Sequence, residues 1–239
     1  MFLGEPPATQ ADLHFRLFGF PVRVHPFFWL VTLLLGMRSP ADPFETLIWV
    51  ALVFVSILVH ELGHAFVQRY YGGHPWITLY GFGGLASCND CDRSPRAQIL
   101  ISLAGPVAGF LLAGLVIIVL IALRRFRGFE LGWIPAVWVP LETWQLELAV
   151  RILLFVNITW GLVNLLPIYP LDGGRIAREL FTLRNARAGV VQSLQLSAGA
   201  AVLVAVYALT QRLIFMAILF GFLAYGSFQA LQNYRNWWR

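Results

Sequence analysis

The 239-residue sequence predicts an all-α polytopic membrane protein of about six transmembrane helices, with a small membrane-associated β element between spans two and three. Three observations predict this class. The chain is 59% hydrophobic and only 12% charged, too few polar residues to cover a soluble domain of this size. Four apolar runs, residues 46–67, 97–123, 189–209 and 213–231, meet or approach the roughly 20 residues that cross a bilayer as a helix. After the first of these, "WITLYGFGGLAS" joins strand-forming residues to glycines that exclude a stable helix.

The elements follow in order. The opening stretch, "MFLGEPPATQADLHFRLFGFPVRVHP", is mixed and proline-containing, and reads as chain lying along the membrane surface. A shorter apolar run at 24–37 is span one, and 46–67 is span two. The glycine-rich strand behind span two needs its backbone groups satisfied by protein or water, which places it in the cytoplasm or in a protein cavity. Span three carries "SLAGPVAGFLLAG", where Gly105, Gly109 and Ala113 recur every four residues and form a smooth stripe for helix packing. Trp133, Pro135, Trp138, Pro140 and Trp144 give the next connection the composition of an interfacial segment on the outer face. Span four, 152–166, runs into "NLLPIYPLDGG". Pro167 and Pro170 end its helix, and Gly173 and Gly174 permit a sharp turn after Asp172. Spans five and six, separated by little more than residues 210–212, form an antiparallel hairpin.

All 17 basic residues are arginine, and the net charge is +5. They are dispersed through the connections, which excludes a nucleic-acid platform. With six spans, eleven of them fall on the side that holds both termini, so that side is predicted to be cytoplasmic, in a bacterial-type cytoplasmic membrane. No cleavable signal peptide is read at the N-terminus. Cys88 and Cys91, spaced C-x-x-C, read as loop thiols, with redox or metal roles as alternatives; one such pair is half of a structural zinc site, and a lasting disulfide is not expected on the cytoplasmic side.

The chemistry concentrates in "HELGH". His60 and His64 lie four residues apart on a helix, about 40° from one another in direction, and can grip one ion together. Glu61 projects about 100° from His60, placed to reach a ligand of that ion. Two neutral imidazoles with an adjacent glutamate are the H-E-x-x-H arrangement, in which the carboxylate serves as general base. Of twelve Asp and Glu residues, Glu61 alone lies inside a predicted span, where an unpaired carboxylate costs roughly 2.5–3.5 kcal/mol even on lenient scales. Span four runs the same way as span two, so its broken end delivers Asp172 to the leaflet of His60 and His64 as a candidate third ligand. Two histidines and a carboxylate leave a fourth position exchangeable, as catalytic zinc requires. Asn157, Trp160, Gly161 and Asn164 share one face of span four. Asn164 is a candidate substrate hydrogen-bond partner, with capping or packing as its alternative, and Asn157 reads as structural. His14, His25 and His74 have no partner at ligand spacing.

"HELGH" at 60–64, "NLLPIYPLDGG" at 164–174, "AGPVAG" at 104–109, "GFPVRVHPFFWL" and "YGFGG" together resemble the site-2 protease family of intramembrane zinc metalloproteases. The resemblance covers about residues 19–180, followed by the hairpin at 189–231, within a single membrane domain 1–239. It implies one Zn²⁺ per chain held by His60, His64 and Asp172, with Glu61 as catalytic acid and base. It also implies substrate contacts at Asn164 and at the strand carrying Gly83 and Gly84, and a transmembrane protein as substrate. The PDZ and nucleotide-binding regulatory domains of many relatives are not read in this sequence. Two rivals are a prenyl-protein type of membrane protease, with Glu179 as third ligand, and a non-catalytic zinc-binding membrane protein.

Overall fold

The computed structural model describes residues 5–37, 43–131, 134–138 and 141–237. These fall into two compact units: Met1–Cys91 with Ala104–Gly161, and Asp92–Leu103 with Leu162–Arg239.

The first unit is built on a four-stranded sheet against a long helix. β1 (Leu13–Leu17) and β2 (Phe20–Val24) form a tight hairpin whose turn residues, Phe18 and Gly19, both take positive φ, as two-residue hairpin turns require. The opening stretch therefore pairs as strands. Helices α1 (Pro26–Gly36) and α2 (Pro43–Tyr70) follow, then β3 (Trp76–Tyr80) and β4 (Gly83–Ser87). β2 runs parallel to β3, with Val22 opposite Ile77 and Val24 opposite Leu79, and the sheet order is β1-β2-β3-β4. β4 is thus an edge strand among the described residues. Phe20, Val22, Val24, Ile77 and Leu79 are buried with Val53, Ile57, Leu58 and Leu62 of α2 in one apolar cluster.

α1 is capped by the His25 side chain, which accepts from the Phe27 N–H, and has proline in its first turn. At 11 residues it is about 16 Å long, too short to cross a bilayer alone. Five helical stretches among the described residues are long and apolar enough to cross, where about six spans are predicted. The difference lies in the first span. Pairing of β2 with β3 draws the N-terminal segment to the C-terminal end of α2, and α1 returns from there beside α2, where the Trp49 indole donates to the Thr32 carbonyl at 3.1 Å.

α2 closes on a Schellman motif. Gly72, at φ +84°, donates to Arg69 O and Gly73 to Gln68 O. Gln68 then ties the sheet to the helix, its amide donating to Ala86 O of β4 at 3.1 Å. The helix α3 (Pro95–Ala122) begins at a Ser94 cap and contains Pro106. The aromatic connection contains a hairpin, β5 (Phe126–Leu131) with β6 (Ile134–Trp138), and Trp144 opens the next helix; Trp133 and Pro140 lie outside the described residues. α4 (Trp144–Phe155) continues through a π-helical turn, Val156–Trp160, into α5 (Gly161–Asn164). The turn accommodates Asn157, whose amide donates to Ser56 Oγ and Leu153 O, each at 2.9 Å. That confirms a structural Asn157.

In the second unit, residues 165–171 fold back on the first turn of α6 (Asp172–Arg184). Gly173 and Gly174 are helical and buried instead of forming a sharp turn. A Cβ on Gly174 would lie 2.5 Å from the Ile168 carbonyl carbon and the Tyr169 nitrogen, so only glycine lets the chain approach this closely. α7 (Ala186–Thr210) and α8 (Ile214–Trp237) form the expected hairpin. Two buried serines join it to the folded-back segment: Tyr169 N–H donates to Ser197 Oγ at 2.7 Å, and Ser197 and Ser227 hydroxyls are 2.7 Å apart.

Candidate active site

The expected ligand pair is assembled by one helix. His60, Glu61 and His64 occupy consecutive turns of α2 and are all buried, at 5, 5 and 7% exposure. The two Nε2 atoms lie 3.2 Å apart with their rings nearly perpendicular. Two nitrogens about 2.1 Å from a tetrahedral zinc would be separated by about 3.4 Å, so the pair fits that ion with little adjustment. A Glu61 carboxylate oxygen lies within 4.8 Å of both imidazole donors.

Two glycines shape the space around this triad. A Cβ at Gly105 of α3 would lie 2.7 Å from His60 Nε2 and 2.5 Å from His64 Cε1. At Gly84 of β4 it would lie 2.5 Å from Glu61 Oε1 and 2.6 Å from Cδ. The small-residue stripe of α3 is therefore more than a packing surface: Gly105 is the wall of the histidine pocket, and a Cβ at Gly109 would lie 3.4 Å from Asn157 Oδ1. Sequence spacing identified the stripe, but only the register between α3 and α2 shows which side chains it meets. Gly83, at φ +119°, opens β4 beside Trp160 of the π-helical turn. Arg69, one turn beyond the triad, donates to Phe18 O and sits over the Phe20 ring at 4.1 Å.

Asp172 and Asn164 belong to the second unit, where both are buried at 7% exposure, Asp172 in the first turn of α6 and Asn164 at the end of α5. Glu179 lies two turns further along α6 and is partly exposed.

The cysteines depart from expectation. Cys88 and Cys91 are joined as a disulfide, the loop holding both sulfurs against Gly73 at the end of α2. Nor is His74 without a partner: its Nδ1 lies 2.6 Å from Asp90 Oδ2.

Comparison with known proteins agrees with this geometry. Residues 48–206 match the model of peptidase family M50. The chain is 28% identical over 171 residues to a zinc metalloprotease of Methanocaldococcus jannaschii, covering 70% of this chain and 44% of that protein. It is 26% identical over 173 residues to stage IV sporulation protein FB of Bacillus subtilis, covering 67% and 48%. The chain thus spans about half the length of the curated relatives it matches. Its fold is similar to the solved structure of the site-2 protease from Methanocaldococcus jannaschii, with a TM-score of 0.60 and 25% identity, covering 92% of this chain and 95% of the other. With the family model matched over residues 48–206, five helices among the described residues apolar enough to cross a membrane and a buried HExxH triad, the chain is an integral membrane protein that belongs to peptidase family M50, the site-2 proteases.

Proposed function

We propose that this chain is a zinc-dependent intramembrane endopeptidase that hydrolyses peptide bonds within or near transmembrane segments of membrane-protein substrates. The observation that carries the reading is the convergence of His60 and His64 Nε2 atoms at 3.2 Å, with Glu61 beside them, inside an apolar helix. His60, His64 and Asp172 would hold one Zn²⁺. The metal supplies Lewis-acid polarisation of the scissile carbonyl and acidification of a water. Glu61 accepts the proton of the attacking water and returns it to the leaving amine. Asn164 donates a hydrogen bond to the substrate backbone. A helical substrate hides its carbonyls in intrachain bonds, so it binds unwound, adding as a strand to the β4 edge at Gly83 and Gly84.

The orientation we favour has both termini in the cytoplasm of a bacterial-type cell, with the site nearer that face. The arginine bias supports it, as does the β2–β3 pairing that keeps the N-terminal sheet at the C-terminal end of α2.

Glu61→Gln is expected to lower cleavage of a reconstituted transmembrane substrate by about 10²–10⁴-fold while zinc remains near one per chain. Full activity in that variant would overturn the mechanism. Asp172→Ala is expected to lose bound zinc where Glu179→Ala keeps it; the reverse pattern would favour a prenyl-protein type of ligand set. A zinc-binding scaffold or carrier would retain its function in Glu61→Gln.

A further inference from the structure

The proposed reaction uses nothing from the loop after β4, yet that loop gathers the only other set of metal-binding side chains among the described residues. Cys88 Sγ, Cys91 Sγ and a carboxylate oxygen of Asp90 lie within 4.8 Å of one another. His74, on the connection leaving α2, is held on the same carboxylate twice: its backbone N–H donates to Asp90 Oδ1 at 2.9 Å and its Nδ1 lies 2.6 Å from Oδ2. Gly73 completes the enclosure, since a Cβ there would come within 2.6 Å of Cys88 Sγ and collide with Cys91 Sγ. Cys88 in turn lies 3.3 Å from Asp90 Oδ1.

We propose that Cys88, Cys91 and Asp90, the last oriented by His74, form a second metal site, separate from the HExxH pair, that takes one thiophilic divalent cation such as zinc when the disulfide is reduced. Two thiolates on a C-x-x-C turn supply one edge of a tetrahedron and the carboxylate a third donor, while the His74 imidazole, its Nδ1 committed to that carboxylate, orients it without ligating the ion itself. Metal and disulfide are mutually exclusive, because both claim the same two sulfurs. A dithiol or phosphine reductant converts the bonded pair to two thiols, taking up the oxidising equivalents as its own disulfide or phosphine oxide. The thiols then release their protons as the cation binds. Donor chemistry favours zinc over calcium or magnesium, which prefer oxygen ligands. In either state the loop is cross-linked where it leaves β4, beside the α2 terminus.

The test uses the full chain in detergent, reduced with a phosphine and titrated with Co²⁺. A His60→Ala/His64→Ala variant disables the first site, so any thiolate-to-cobalt charge-transfer absorption near 300–350 nm reports the second. We expect this band to saturate at one equivalent, to vanish on zinc addition, and to be lost in Cys88→Ser/Cys91→Ser. It is expected to be absent after oxidation with diamide. His74→Ala is expected to weaken cobalt binding by about tenfold or more. Circular dichroism of the serine variant guards against misfolding. No charge-transfer band in the reduced chain, or a band that survives Cys88→Ser/Cys91→Ser with unchanged helicity, would overturn the proposal.

Discussion

At the scale of single residues, the site is defined as much by missing side chains as by present ones. Gly84 and Gly105 each stand where a methyl group would overlap a member of the triad, and the two substitutions separate the functions they protect. Gly84→Ala presses on the Glu61 carboxylate, so turnover is expected to fall by roughly 10²-fold, the order lost when a general base is displaced, with zinc content unchanged. Gly105→Ala presses on both imidazoles, and loss of bound zinc is expected to accompany loss of activity. Metal analysis of the two purified variants checks both; equal zinc loss in each would show that the glycines do not divide the site this way. The histidines and Glu61 were legible in the sequence because four-residue spacing on a helix fixes their common face. The glycines' partners were not, since they depend on which turn of one helix meets which turn or strand of another.

At the scale of elements, the segment between Pro167 and Asp172 shows how a broken helix is made definite. Residues lacking regular hydrogen bonds inside a membrane domain need partners, and Tyr169 finds its own in Ser197, which is linked in turn to Ser227. Ser197→Ala orphans the Tyr169 N–H at a cost of about 1–3 kcal/mol. A lower midpoint of thermal unfolding is expected, together with weaker zinc retention under chelator, because the segment leads directly into Asp172. Ser197→Thr, which keeps the hydroxyl, should recover much of both. The sequence announced the break through its prolines but not the latch, because serine in an apolar helix gives no local signal of what it will bind. The N-terminal strands escaped notice for a related reason. β1 and β2 are short, and the strand that completes their sheet lies some fifty residues downstream, beyond the reach of any local pattern.

At the scale of the whole molecule, apolar length predicted the helical class and the terminal hairpin, and five of the about six expected spans are long and apolar enough to cross unaided among the described residues; α1, the shortest, takes its place through sheet pairing that periodicity cannot weigh. Orientation is testable here. Reporter fusions after Arg212 and after the C-terminus are expected to fall on opposite faces of the membrane, with the C-terminal one cytoplasmic; the same face for both would contradict the α7–α8 hairpin.

The parallel pairing of β2 with β3 also has a consequence for biosynthesis. Val22 and Val24 leave the ribosome long before Ile77 and Leu79 exist to receive them, and α1 is too short to hold its place in lipid unaided. The N-terminal hairpin must wait until α2 has been threaded and β3 has emerged behind it. Nascent chains arrested short of residue 76 are therefore expected to leave residues 13–24 open to protease, and chains carrying β4 to protect them. In such a protein the topology of the first quarter is sealed from behind, by sequence that is translated after it.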